Sequence, residues 1–376
     1  MRSIWHAVGQ FGQGKGSSSP SSSSRRSSAA TLLPFDEDPR RRSSPTRRLR
    51  APRLRRVTAW LLLIDLAIIL FLVWLVQPLI VLLRRNEELF SPHVTLSNDT
   101  LAGLDEAGQR RIPRILHQTT ATDDIPEKWV KSQQSCKDTY RDFEYKLWTD
   151  QRARDFLEQE YPWFVETWDS YDFPIQRADS IRYFVLHHYG GIYLDMDTIC
   201  HAPFPLHQID SGTMEHRALF ESTLPTGITN DFMVSTARHP AFAGAIAKLP
   251  LFYSFTRFWA RLEPYCAIML SSGPLFLSLV VKDYLLELPS LPSATVQVIA
   301  SARLRPYITD LESSTWHRKD TQALMWLGQR PWSWFLMGAL GVVVGAYLVN
   351  LALLACFRAV RKVPAVSAGS KLAKLI

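Results

Sequence analysis

Residues 57–83 and 331–357 constrain this chain more than any other part of it: each runs 27 residues, and together they hold one charged side chain, Asp65. In hydrocarbon a backbone has no water to bond, so such a run must be helical, and about 20 apolar residues span a bilayer core of roughly 30 Å. The first run is fenced by Arg55-Arg56 and Arg84-Arg85; the second opens on Pro331-Trp332-Ser333-Trp334 and ends at Arg358. Its tryptophan pair suits a membrane interface. A cleaved signal peptide is excluded as a reading of the first run, because both the leader and the apolar core are too long.

The charge distribution gives these two spans a direction. Residues 1–56 carry a net charge of +10 and residues 357–376 a net +5, while residues 84–330 carry −6. The pI of about 9.3 therefore describes the tails, and it does not mark the folding part as a nucleic-acid binder. Basic flanks stay on the cytosolic side. The expected organisation is a disordered Ser/Arg-rich cytosolic tail (1–56), a transmembrane helix (57–83), a lumenal catalytic domain (84–330), a second transmembrane helix (331–357) and a cytosolic tail (358–376). The sequon Asn98-Asp99-Thr100 falls on the lumenal side of that scheme. So do Cys136, Cys200 and Cys266, which can form at most one bridge.

Within 84–330 the patterns alternate. Ile112–Gln118 reads as a buried first strand, and Glu144–Trp148 as a second, with Thr149-Asp150 opening a helix that stops at Pro162. From Ile175 the apolar residues Ile181, Phe184 and Val185 recur at helical spacing with His188, and Gly190-Gly191 stops the helix. Ile192-Tyr193-Leu194 follows as a buried strand. Trp148 and Trp163 read as core residues. This alternation predicts an α/β domain with a largely parallel sheet.

Ligands of open α/β sheets bind beyond the carboxyl ends of the strands, and there the chain places Asp195-Met196-Asp197. Two carboxylates two residues apart suit a hard divalent cation, Mn²⁺ or Mg²⁺, shared with substrate phosphates. Asp179 and Arg182 stand one helical turn apart upstream. Their spacing alone favours an exposed ion pair worth a few tenths of a kcal/mol over a sugar- and phosphate-binding pair.

The blocks IPRILHQT (112–119), DIPEKW (124–129), YPWF (161–164), RADSIRYFVLHHYGGIYLDMD (177–197), NDFMVS (230–235), GPLFLS (273–278) and WHRKD (316–320) together resemble the fungal D-x-D α-mannosyltransferases. That family includes the catalytic subunits of mannosyl inositol-phosphorylceramide synthases. The resemblance implies a GT-A fold with a Rossmann-like mixed sheet, flanked here by the two transmembrane helices. It also implies GDP-mannose as donor, retention at the anomeric carbon, and a Mn²⁺ or Mg²⁺ ion. Asp195 and Asp197 would hold the metal, with His317 as a third ligand. Asp231 would face the reacting centre, with Asn230 at the sugar. His117, Gln118, Asp179, Arg182, Gly273 and Trp316 would contact the donor. Relatives often carry a further acid where this chain has Thr198. The implied activity is mannose transfer to inositol-phosphorylceramide in the Golgi, with a multi-span regulatory subunit as partner. The alternatives are an α-mannosyltransferase elongating protein N-glycans, or a catalytically silent lumenal scaffold.

Overall fold

The computed structural model describes residues 56–94, 96, 111–209, 214–224, 226–311 and 331–362. The sequon at Asn98, the tail residues 1–55 and 363–376, Trp316 and His317 lie outside the described residues. The first apolar run forms α1 (Arg56–Arg84), followed by the short α2 (Asn86–Phe90). The domain then runs β1 (Ile115–Thr119), α3 (Glu127–Thr139), β2 (Glu144–Trp148), α4 (Asp150–Glu160), α5 (Val165–Ser170), α6 (Pro174–Tyr189), β3 (Gly191–Leu194), β4 (Thr198–Cys200) and α7 (Leu206–Ile209). Its second half is β5 (Ala218–Ser222), β6 (Ile228–Ser235), α8 (Pro240–Thr256), α9 (Pro264–Ser271), α10 (Pro274–Glu287), β7 (Val296–Ile299), α11 (Ser301–Leu304) and β8 (Ile308–Asp310). The second apolar run is α12 (Pro331–Lys362).

Local chemistry sets the boundaries. Thr149 caps α4 by accepting from the Arg152 amide at 3.2 Å, as the sequence predicts. Pro174 opens α6, and the Gln176 side chain turns back to accept from the Phe173 amide. Gly190 closes α6 at φ 69°, and Gly191 follows at φ 100°. A Cβ on Gly191 would stand 2.5 Å from the Ile115 carbonyl oxygen, so two glycines let the helix reverse and lay β3 directly against β1.

Six strands form one sheet in the order β2-β1-β3-β6-β5-β7. β1 is parallel to β2 and β3, and β5 is parallel to β7. β6 runs antiparallel to both β3 and β5. Five of the six strands therefore run one way and the sheet is largely parallel, as expected; β6 alone is reversed, because the few residues between β5 and β6 allow only a hairpin return, whereas a parallel crossover needs a dozen or more. Alternating side chains feed two cores. Tyr193, Phe220 and Met233 meet α6, α8 and α10 on one face. Ile192, Leu219 and Phe232 meet α3 and the small β4–β8 sheet on the other. Cys136 of α3 is disulfide-bonded to Cys200 of β4, which is the single bridge that the three cysteines of the domain permit; Cys266 and Cys356 form no disulfide.

Among the described residues three helical segments are long and apolar enough to cross a membrane: Thr58–Arg84, Pro264–Glu287 and Leu336–Cys356. The middle one comprises α9 and α10 and is mostly buried inside the domain, whereas the outer two are almost wholly exposed. Asp65, the one charge in the first apolar run, accepts from the Asn350 amide of α12 at 3.0 and 3.2 Å.

Candidate active site

The exit of β3 carries Asp195, Met196 and Asp197. Its geometry is fixed from the backbone outward: the Asp195 amide donates to the Asp231 carbonyl at 3.0 Å, and the Thr198 amide to the Asp195 carbonyl at 3.1 Å. Gln118, fully buried, donates to the same Asp195 carbonyl at 3.3 Å while accepting from Tyr145 at 3.0 Å. The Asp197 carbonyl accepts from the Leu311 amide at 3.1 Å. The disulfide just beyond, at Cys200, secures the same segment to α3.

Arg182 is the hub behind this exit. Its guanidinium lies 3.0 Å from Asp179 and 3.3 Å from Asp195, donates to the Asn230 carbonyl at 2.6 Å and the Ala178 carbonyl at 3.1 Å, and stacks over Tyr193. The pair with Asp179 is buried, which corrects the exposed-pair reading. Spacing says that two side chains meet; it does not say what covers them. Burial works against the charge of Arg182, yet Asp195, Tyr193 and Asp179 outweigh it and raise its pKa. Burial pushes the Asp179 carboxyl up, while Arg182, Asn230 and Ser272 pull it back. Asn230 donates to Asp179 and to Tyr183, both at 3.0 Å, and Ser272 to Asp179 at 3.2 Å. A buried carboxylate held this way needs its partners: removing one leaves an uncompensated charge.

Asp195 is pushed up to about 7 by burial, against the opposing pull of Arg182, with Asp231 and Asp197 adding to the rise. Tyr193 donates to its Oδ1 at 2.7 Å. The side chain keeps 28% of its surface open, toward a cavity of about 420 Å³ that Asp195 and Asp197 line together with Trp129, Trp148, Trp168 and Tyr265. Arg182 is the only cation among the described lining residues. The buried Nε1 of Trp129 has no hydrogen-bond partner among the described residues.

The remaining expected residues fall behind or beside this cavity. His117 is fully buried; its Nδ1 accepts from the Trp148 indole at 3.0 Å and its Nε2 bonds the Gly190 carbonyl at 2.8 Å. It bears on the cavity through Trp148. Asn230 is buried behind Asp179, and Asp231 accepts from the Phe232 amide at 2.8 Å and from Thr229. Gly273 precedes α10, packed so closely on Met269 and Ile268 that a Cβ would be crowded. Trp148 is both core and cavity wall, while Trp163 is 53% exposed and not a core residue. One acid escaped the sequence reading. Glu221 stands at a register shift in the β5–β6 pairing, and burial, with Asp231 adding, pushes it up to about 7. Only the pairing of two strands brings it to Asp231, so no local pattern marks it.

The residues present fit a divalent cation shared with a diphosphate. The exit holds excess negative charge, Asp195 and Asp197 share one cavity wall, and no third His, Cys, Asp or Glu converges among the described residues. Mg²⁺ and Mn²⁺ sites of this kind complete their shells with water and phosphate oxygens.

Residues 126–217 match the family model described as a glycosyltransferase sugar-binding region containing a DXD motif. The chain is 41% identical over 220 residues to the mannosyl phosphorylinositol ceramide synthase CSH1 of Saccharomyces cerevisiae, covering 57% of this chain and 55% of that protein. It therefore spans about half the length of that relative. A solved PaToxG glycosyltransferase matches at 18% identity and a TM-score of 0.36, covering 46% of this chain and 70% of the other. Inositol phosphoceramide mannosyltransferase 1 of Schizosaccharomyces pombe is 31% identical over 275 residues, 71% of this chain and 78% of that protein. By that coverage, the chain belongs to the DXD-containing glycosyltransferase family of the inositol phosphoceramide mannosyltransferases.

Proposed function

We propose that this protein is a retaining, metal-dependent GT-A mannosyltransferase that moves mannose from GDP-mannose to the inositol of inositol-phosphorylceramide, on the lumenal side of the Golgi membrane. The observation that carries the reading is the buried Asp179–Arg182–Asp195 network set behind an aromatic cavity whose wall includes Asp197. Aromatic walls suit a nucleobase, and the orphaned Trp129 indole N–H suits an acceptor atom on it. A bound Mn²⁺ or Mg²⁺ would neutralise the diphosphate leaving group. Asp195 and Asp197 would hold it, with His317 as a further ligand. Arg182 supplies the one cation among the described lining residues and fixes Asp195, and Asp179 is oriented by Asn230 and Ser272 toward the donor sugar. Asp231, beside Asp195, would stand at the reacting centre, and Trp316 would cover the diphosphate.

Two spans with both tails cytosolic would put the domain in the lumen, and the disulfide Cys136–Cys200 supports an oxidising compartment. The multi-span subunit is the partner that the family resemblance implies. The test is transfer by the purified protein with GDP-mannose, Mn²⁺ and inositol-phosphorylceramide, read as mannosylated lipid by mass spectrometry. Asp197→Ala should leave less than about a tenth of wild-type turnover, since compensating transition-state charge is worth several kcal/mol. Product formed equally well without a divalent ion, or only from a different nucleotide sugar, would refute the reading.

A further inference from the structure

The end of α8 and the turns that follow it show a second apolar surface, separate from the spans. Leu251, Phe255, Phe258 and Leu262 are all exposed, Phe258 at 83% and Leu262 at 85%. Their spacing of four, three and four residues puts them on one helical face. The helical path continues past α8 through hydrogen bonds from Arg257 to Tyr253, Trp259 to Thr256 and Leu262 to Trp259. Tyr253, Thr256 and Ala260, on the opposite face, are buried in the domain. Arg257 and Arg261 interleave the stripe; Arg257 lies 5.6 Å over the Phe258 ring, and Arg261 pairs at 3.7 Å with Asp172. Basic residues beside exposed Phe and Leu are the composition of a segment that lies in a membrane interface.

Two further observations say which surface covers this stripe. The first apolar helix packs into the same domain core: Leu82, Leu89 and Phe90 join the cluster formed by α6, α8 and α10. Just after α1, Asn86 accepts from Thr226 at 2.7 Å and from the Gly227 amide at 2.8 Å. That β5–β6 loop joins Glu221 to Asp231 and carries Leu224, 93% exposed. At its other end the stripe runs straight into Pro264, Tyr265 and Ile268, which line the cavity. The stripe therefore belongs to a domain whose core also seats a helix apolar enough to cross a bilayer, and it stops at the cavity.

We propose that Leu251–Leu262 is a monotopic membrane contact that beds Phe255, Phe258 and Leu262 in the lumenal leaflet beside the cavity entrance. Arg257 and Arg261 meet anionic headgroups, and a lipid-borne acceptor reaches Asp195 and Asp231 without leaving the leaflet. The purpose rests on the lipid-acceptor reading above; the contact does not. The full chain, with Cys266 and Cys356 replaced by Ser, is reconstituted in phosphatidylcholine–phosphatidylinositol vesicles. A fluorophore is attached to Phe258→Cys, to Leu262→Cys or, as an exposed control, to Arg141→Cys. Probes seated roughly 5–10 Å into the headgroup–acyl boundary should be quenched by nitroxide lipid and shielded from iodide, and the control should behave oppositely. Iodide access at both sites overturns the proposal. Shielding from both quenchers also overturns it, because a protein surface would then be the occupant. In a second arm, Phe258→Asp with Leu262→Asp should lower kcat/KM for bilayer-embedded acceptor about tenfold and leave acceptor-free donor hydrolysis unchanged. Unaltered transfer would overturn the role at the acceptor, while the quenching result stands even where no lipid acceptor is used.

Discussion

Arg182 concentrates more of this site than any other side chain. One guanidinium serves two carboxylates, two carbonyls and a tyrosine face, and a lysine has neither the planar fork nor the donor count to do so. Arg182→Lys should therefore cost about 3 kcal/mol or more of stability and about 100-fold in kcat/KM. A thermal melt beside a transfer assay checks both; a melt unchanged within error would show that the network does not hold the fold. The buried histidines set a pH dependence of a different kind. Burial holds His117 and His239 at about 4, below the ordinary 6.5. In each, Nδ1 is an acceptor: from the Trp148 indole in His117 and from the Ala241 amide at the start of α8 in His239. The folded state excludes protons that the unfolded state takes up below pH 6.5. Stability is thus full above that pH and falls as pH drops toward 4, by about 3 kcal/mol for each histidine at the acid limit. His239→Asn keeps a cap acceptor but does not titrate, so its melting temperature should fall less between pH 6.5 and 4.5 than that of the wild type.

At the scale of elements, the helix–glycine–strand unit from α6 to β3 is the part the sequence displays most fully. Its signals are local: a proline at the start, apolar residues at helical spacing, two glycines where the chain must reverse, and an apolar run ending on two acids. Gly191→Ala should cost on the order of 3 kcal/mol or more, since φ 100° and a 2.5 Å approach to the Ile115 oxygen both forbid a Cβ. A thermal midpoint equal to that of wild type would show that β1 can give way. What the sequence hides is what depends on pairing. A buried strand reads alike in either direction, so the reversal of β6 is invisible until the length of its connection to β5 is known. Glu221 is hidden for the same reason, and the setting of Asp179 with Arg182 depends on Asn230 of β6 and on Ser272 between α9 and α10, far along the chain. Trp163 failed as a core residue because aromaticity marks a capacity for burial, not burial itself. Asn230 and Gln118 were found as site residues by resemblance, yet the structure gives them the task of holding Asp179 and the Asp195 backbone.

For the whole molecule, the contact between Asp65 and Asn350 bears on orientation. Asp65 lies in the first half of α1 and Asn350 in the second half of α12, so the pair sets the start of one helix level with the end of the other. That is the arrangement expected of two antiparallel spans with both tails on one face of the membrane. Protease added to sealed microsomes should remove tags at either terminus and spare the domain; a protected C-terminal tag would contradict two spans.

The same contact has a consequence for biosynthesis. Its two residues are separated by 285 positions, so in the proposed two-span arrangement most of the chain between them is synthesised after Asp65 enters the membrane. At roughly 5–20 residues per second, Asn350 is made roughly a quarter of a minute to a minute after Asp65, while the domain between them is being made. A carboxylate in hydrocarbon is costly throughout that interval, which favours its retention by the insertion machinery until the last helix arrives. In the proposed two-span arrangement, a chain that stops short of α12 would leave the Asp65 carboxylate without its Asn350 partner.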